Sequence, residues 1–233
     1  MSDYLIELDS FEEKIISQLQ QHPILRSLNT FSNPKLEDIL LQKRWISLHF
    51  TPFYDIAICT FKSEEARTIA KEIVREEYLD SNHREDLVND LIRCGLSRER
   101  IVSAKPSSET KKTVANLYQL VGWNNHYDLR AALALRIAGE VLPGEENKVI
   151  LDELQRRYQL TTDQLPHYAL HAAHDRKKVP FGIESSSHAD RFGTVITHLV
   201  DSAEKVELAK TIMGAAYHVR ADFYDQFHTE GEK

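Results

Sequence analysis

The stretch SEEARTIAKEIVREEYLDSNH, residues 63–83, decides how the rest of the chain reads. It contains no glycine or proline, and apolar side chains recur at Ala66, Ile69, Ala70, Ile73 and Val74. That three- and four-residue spacing marks one face of an α-helix. Ser63 suits the N-cap, and Glu64 and Glu65 fall in the first turn, where the helix dipole favours acids. The far end of the stretch carries chemistry. Glu76 and His83 are seven residues apart, so on a continuous helix they project within about 20° of each other. Glu77 lies nearer the centre of the apolar stripe. Periodicity favours Glu77 and register with His83 favours Glu76, so spacing leaves both open. The plainer reading of either is a solvated acidic helix end with a surface histidine.

The same texture extends in both directions. Helices are expected from about Ser10 to Gln21, from Asn33-Pro34 to about Phe61 with a kink at Pro52, from near Arg84 to Gly95, and from Ser107 to Gly122. Further ones run from Tyr127 to about Leu142, about Glu146 to Tyr158 and Thr162 to Lys177. After a break at Val179-Pro180-Phe181-Gly182, helix resumes near Ser185, and a last one spans about Ala203 to Phe227. Only eight glycines and seven prolines punctuate the chain, with no strand alternation, low-complexity tract or internal repeat. The expectation is an all-α bundle forming one domain over residues 1–233. A hydrophobic content of 42% suits a single large core.

Charge and composition exclude several classes. A net charge of −7 gives no electrostatic reason to bind nucleic acid. No basic run reads an anionic membrane, and no segment approaches the roughly 20 apolar residues that span a bilayer. Cys59 and Cys94 sit in no metal or redox pattern, so a reducing cytoplasm is the default location. No glycine-rich phosphate loop appears. His22, before Pro23, is a lone histidine that no other pattern supports as a heme ligand.

Other carboxylates and histidines sit where helices would align them. Glu140 shares a direction with Leu129 on a face that includes Leu133 and Ile137; a carboxylate there needs a partner, unless it is a helix-end acid reaching solvent. His171 and Asp175 are four apart, a spacing that lets both grip one ion; His174 lies beside them on another face. The basic Arg176-Lys177-Lys178 that follows fits an exposed helix end equally well. Phe192, Val195 and Leu199 follow His188 at helical spacing, so His188 faces the core. His218, Asp222 and Asp225 form a rival set on the last helix. They lie roughly 80–140° from the stripe of Leu208, Ile212, Val219 and Phe223, and read as a solvated face.

Taken in order, these residues resemble a known family. The run Glu76-Glu77-Tyr78-Leu79-Asp80-Ser81-Asn82-His83 resembles the Glu-Glu…Asn-His segment of the relatives of the chlamydial death-domain-associating protein. Ala138-Gly139-Glu140-Val141-Leu142-Pro143 resembles their Glu…Pro helix. Arg157-Tyr158-Gln159-Leu160, then Tyr168 and His171, resembles their approach to the third ligand group. The resemblance covers about Ser63 to Leu199. It implies the heme-oxygenase-like helical fold of the di-iron oxidases, shared with thiamin-salvage and pyrroloquinoline-quinone synthesis proteins.

That resemblance also implies a ligand set. Glu76 and His83 come from one helix, Glu140 from a second, and His171 and Asp175 from a His-x3-Asp-x2-His motif on a third. Lys178 stands where the last histidine belongs, while Ser187-His188-Ala189-Asp190 matches the sequence around it. An insertion of about 176–187 is therefore expected, with His188 as the sixth ligand and Glu184 as a substitute. The implied cofactors are two Fe ions, or Fe with Mn, and no heme. The implied reaction is an O2-dependent oxidation of a small organic molecule under an apolar wall of Trp45, Phe50, Phe53 and Tyr54. The tyrosine and lysine that the chlamydial protein is thought to sacrifice are not found, and Ile150 falls about where that lysine would be. Other partners would be neither nucleic acid nor membrane, and a homodimer is left open. The competing expectations are a metal-free binding or cofactor-metabolism protein, whose carboxylates would make salt bridges such as Glu140 with Arg136, and an interaction module with an exposed apolar face.

Overall fold

A computed structural model describes residues 3–79, 82–122, 127–183 and 185–228. The helices in chain order are α1 (Asp3–Gln20), α2 (Pro23–Arg26), α3 (Asn33–Leu48), α4 (Phe50–Thr60), α5 (Glu64–Leu79), α6 (His83–Arg93) and α7 (Arg98–Ser103). They continue as α8 (Ser108–Gly122), α9 (Tyr127–Ala134), α10 (Leu142–Tyr158), α11 (Pro166–His174), α12 (His188–Leu199) and α13 (Ala203–Asp225). Among the described residues there is no strand, and no helix is long and apolar enough to cross a membrane. The architecture is the expected all-α bundle.

α10 packs most extensively on α11, α13 lies along α1 and α8, and α12 packs on the segment between α9 and α10. The α5 stripe closes as expected, with Ala66, Ala70 and Ile73 fully buried. On α13, Ile212, Val219 and Phe223 are buried and His218, Asp222 and Asp225 are exposed.

Several boundaries differ from expectation, among them α1, which begins at Asp3 rather than about Ser10, and α11, which begins at Pro166 rather than Thr162. The break expected as a kink at Pro52 falls at His49, between α3 and α4. Proline obstructs the carbonyl four residues earlier, here that of Leu48, so the helix stops before the ring and restarts with Pro52 in its first turn. The expected gap between Leu142 and Glu146 is absent. Residues Leu135–Val141 form a π-helix that joins α9 to α10 through Pro143. In this register the N–H of Leu142 bonds to Ile137 O, five residues back. The Ala138 carbonyl is then left facing Pro143, which has no N–H, and Arg220 from α13 supplies it instead (Nε–O 3.0 Å). α5 ends at Leu79, and α6 begins at His83 with Asn82 as its cap, so Glu76 and His83 do not share one helix. Finally, α11 stops at His174 rather than Lys177.

Between α11 and α12 the chain leaves the helix axis and returns. Its excursion is anchored on α1. Lys177 Nζ reaches Asp9 (2.8 Å), Glu13 (2.6 Å) and Glu12 (3.4 Å). Phe181 is buried against the guanidinium of Arg136, 4.3 Å from the ring centre. Arg136, in the π segment, is itself fully buried and clamps Glu12 with two hydrogen bonds of 2.7 and 2.9 Å. It also donates to the Ala189 carbonyl. The return is capped by Ser187, whose Oγ accepts from Asp190 N (3.1 Å), making His188 the first residue of α12. Glu184 lies outside the described residues.

Candidate metal centre

The ends of five helical segments converge on two adjacent groups of side chains. Glu77, His83 and His171 form the first; Glu140, Asp175 and His188 form the second. Within each, one donor atom per residue lies within 4.8 Å of the others. Asp175 joins the groups. Its Oδ2 is 2.8 Å from His171 Nδ1, and its Oδ1 is 3.5 Å from His188 Nδ1. His188 Nδ1 is also 3.4 Å from Glu140 Oε2.

Each side chain is placed by a local device. His83 and His188 open their helices behind the side-chain caps Asn82 and Ser187. α11 begins at Pro166 without a cap of its own, and Asp90 of α6 substitutes, its Oδ2 accepting from His167 N (3.0 Å) and Tyr168 N (3.3 Å). Asp175 is the C-cap of α11. Gly144 lets α10 approach it: a Cβ there would lie 2.9 Å from Arg176 N and 3.2 Å from the Asp175 carbonyl carbon. Glu140 projects from the π segment and is fully buried, with the Tyr54 hydroxyl donating to it.

The sequence-predicted residues divide. His83, Glu140, His171, Asp175 and His188 are brought together; Glu76 stands outside both groups and Glu77 takes the inner position. The seven-residue alignment of Glu76 with His83 assumed a continuous helix, which the α5–α6 boundary interrupts. Glu76 instead packs behind the second group. Its Oε2 lies 2.7 Å from His188 Nε2 and its Oε1 accepts from Arg191 Nη1 (3.0 Å). In the neutral imidazole a hydrogen on Nε2 would satisfy Glu76 and leave the Nδ1 lone pair toward Glu140 and Asp175, the form that binds a metal.

Electrostatics follow from three carboxylates and three imidazoles sharing a dry space. Burial and the neighbouring Asp175 charge raise the Glu140 carboxyl, against the lowering effect of His188 and Tyr54. Burial opposes charge on His171, yet Asp175 outweighs it and pushes this histidine up to about 9. His188 is likewise pushed up to about 11 by Asp175 and Glu140 against burial. Burial also opposes charge on Asp175, but the two histidines hold its carboxyl below the usual carboxylate range.

The donor set fits a pair of divalent ions. Glu77 Oε1, His83 Nδ1, Glu140 Oε2 and His188 Nδ1 are all buried without a hydrogen-bond partner. His83 Nδ1 does approach Glu77 Oε2 to 2.9 Å, but without the angles of a hydrogen bond. Buried polar atoms are almost always partnered, so four orphans in one place call for a cation. Imidazole nitrogen and carboxylate oxygen without thiolate suit Fe(II) or Mn(II). Arg136 is held by Glu12 rather than by Glu140, which faces His188 at 3.4 Å.

Beside the first group opens a cavity of about 360 Å³, lined on one side by Glu77, His83, His171 and Asp175. Phe50 and Phe53 form part of its wall together with Ile46, Leu48, Leu87, Leu117 and Pro143. Tyr54 lies beneath the wall on Glu140. Trp45 does not line the cavity; its indole N–H donates to the Ala104 carbonyl (3.2 Å). The polar lining includes Lys43, Asn147, His167 and Arg220, none singled out from sequence. Lys43 carried a signal, because it falls on the buried stripe of Leu36, Ile39, Leu40 and Ile46.

The remaining candidates are accounted for locally. His174 is exposed. His22 accepts from Ile24 N at Nδ1 (3.3 Å) and meets Asp225 at Nε2 (3.2 Å). Cys59 is exposed and Cys94 buried, and neither forms a disulfide.

Comparison with known proteins concerns the family and the fold. Residues 38–223 match the family model described as "Iron-containing redox enzyme", of the heme-oxygenase type. The chain belongs to this family. Its fold is shared by several solved structures. A heme-oxygenase-like domain of unknown function from Shewanella denitrificans has a TM-score of 0.74 at 15% identity, covering 97% of this chain and 92% of that one. A TenA homologue from Pseudomonas syringae pv. tomato has a TM-score of 0.73 at 14% identity, covering 97% and 92%. A CADD-like protein of unknown function from Nostoc punctiforme has a TM-score of 0.72 at 13% identity, covering 95% and 97%. At these identities the likeness concerns the fold alone. No curated protein sequence matches the chain.

Proposed function

We propose that this iron-family protein is a di-iron oxidase that uses dioxygen to oxidise a small organic molecule, with an Fe/Mn pair as the alternative occupancy. The observation that carries the reading is the set of four unpartnered buried donor atoms in two adjoining groups beside a cavity. Glu77, His83 and His171 would hold one ion, and Glu140, Asp175 and His188 the other. When bound, a reduced metal pair supplies the electrons that activate dioxygen for hydroxylation, desaturation or C–C cleavage. The chain's own residues do the rest. Glu76 orients His188, and Tyr54 fixes Glu140 through its hydroxyl. Asp175 ties the two groups so that neither closes independently. The aromatic wall of Phe50 and Phe53 keeps water from the reacting carbon.

The test is metal stoichiometry. Protein purified without metal is given Fe(II) under anaerobic conditions and the bound iron is counted. Two ions per chain are expected, falling to one or none in Glu140→Ala. The proposal fails if wild type binds no more iron than that variant.

A further inference from the structure

Beside the metal groups, three helices bring further polar side chains to the cavity lining. Lys43 of α3, Asn147 of α10 and Arg220 of α13 all belong to it, and each is only 5% exposed. Lysine and arginine are rarely buried this far without matched partners. Here one carboxylate serves both. Glu146 Oε2 lies 2.5 Å from Lys43 Nζ and 3.5 Å from Arg220 Nη1. Two cations against one anion leave a buried excess of positive charge.

The other charged lining does not cancel it. The acids that line the cavity, Glu77 and Asp175, belong to the metal groups, and Arg84 at the mouth adds a further positive charge. Arg220 spends Nε and Nη2 on the Ala138 carbonyl, but Nη1 has only the long approach to Glu146. Lys43 Nζ has three hydrogens and one Glu146 contact. Asn147 Oδ1 is also buried without a partner, as is Glu146 Oε1, whose neighbour is the equally unpartnered Tyr224 hydroxyl. Such groups cost free energy unless something completes them. The apolar lining of the same cavity includes Phe50, Phe53, Leu117 and Ile46.

We propose that the cavity takes a carboxylate with an apolar body, its carboxylate held by Lys43 and Arg220 and its hydrocarbon part laid along Phe50 and Phe53 toward the metal groups. With its amide turned over, Asn147 presents an NH2 to the same carboxylate. The proposal rests on the oxidase reading for the fate of the hydrocarbon part, but the anchor is made of protein alone and works without metal.

That independence sets the test. Metal-free full-length protein is titrated calorimetrically with 3-phenylpropanoate, the neutral 3-phenylpropanamide and the cationic 3-phenylpropylamine. The carboxylate is expected to bind at least about tenfold more tightly than the amide, the scale of a charge-assisted pair over a neutral one. The amine should bind most weakly. In Lys43→Met the amide still binds and the preference disappears, because Arg220 and Glu146 are left balanced. Lys43→Arg keeps the preference and guards against a variant that merely misfolds. Equal binding of acid and amide, a preference for the amine, no binding of any probe, or a preference that survives Lys43→Met would each overturn the anchor. An iron count of two with no carboxylate preference sinks the anchor alone. A preference without iron binding sinks the oxidase alone.

Discussion

Glu76 and Glu77 are adjacent, equally acidic and both near histidines, yet the structure gives them different work. The perturbation that separates them is a pair of isosteric variants, Glu76→Gln and Glu77→Gln. Glu77 is one of three donors in its group, and glutamine is a poor, neutral replacement for a ligating carboxylate. Its ion should be lost, and the anaerobic iron count should fall from two to one. Glu76 touches the second group only through His188, at 2.7 Å. Removing a partner of that kind costs about 10–100-fold in metal affinity, which is about 1.4–2.7 kcal/mol. Glu76→Gln should therefore still hold two ions at saturating Fe(II), with the weaker one lost first on titration with a competing chelator. Arg191, which bonds Glu76 at 3.0 Å, predicts a smaller effect in the same direction for Arg191→Gln. The reasoning is refuted if Glu76→Gln drops the count to one while Glu77→Gln retains two. That pattern would mean α5 and α6 act as one continuous helix when metal is bound.

Other consequences can be checked by melting and titration. Arg136→Met strips a fully buried carboxylate, Glu12, of its bidentate partner and should cost about 3–5 kcal/mol, a Tm loss of about 6–20 °C for a chain of this size. The double variant with Glu12→Gln should recover most of that loss; a deeper fall would show that the pair is not the cause. Gly144→Ala pushes a methyl against the backbone of Asp175 and Arg176. About 1–3 kcal/mol of overpacking is expected, with weaker iron binding, whereas unchanged melting and iron affinity would mean that α10 and α11 part freely. In metal-free protein His171 and His188 are pushed up to about 9 and about 11, against an ordinary value near 6.5. Their protonation thus adds stability that is complete below about pH 6.5 and lost as pH rises through about 9 and then 11. Tm of the metal-free protein should fall across this window, and binding of Mn(II) at pH 7 should release protons, read as a buffer-dependent calorimetric heat. A flat Tm profile, or heat independent of buffer, would contradict the assigned charges.

Much of this was written in the helical periodicity. The stripe from Ala66 to Ile73, continued one step, lands on Glu77, and that simple extrapolation agrees with the structure. The alignment of Glu76 with His83 holds only on a continuous helix, whereas Asn82 caps a new one. His188 could be placed inward from Phe192 and Val195 alone. Asp175 and His171 kept their i, i+4 relation although the helix ends one residue before Asp175. What stayed hidden has a common physical origin. Lys43, Arg136 and Arg220 are cations inside the bundle, and a sequence assigns such residues to the surface unless their partners are known. Glu12, Glu146 and the Ala138 carbonyl come from distant parts of the chain, so no local pattern announces them.

The π segment explains why those hidden residues and the visible ones meet. In an ordinary helix Pro143 would obstruct the Gly139 carbonyl and end the helix before α10 could form. The wider register carries the chain past the ring, and the Leu142 N–H goes to Ile137 rather than Ala138. That change strands the Ala138 carbonyl, one turn from nothing that could donate within its own helix. A buried carbonyl must be supplied from elsewhere, and Arg220 of α13 supplies it. Arg220 is thereby fixed at the cavity, where it meets Glu146 and, through it, Lys43. Two residues further along the same segment, Glu140 is turned fully inward to Tyr54 and His188. One departure from α-helical hydrogen bonding thus places a carboxylate among the metal-binding candidates and a guanidinium in the lining of the same cavity. Both residues are thereby placed by a helical turn rather than by a loop, which holds side chains more rigidly at a site.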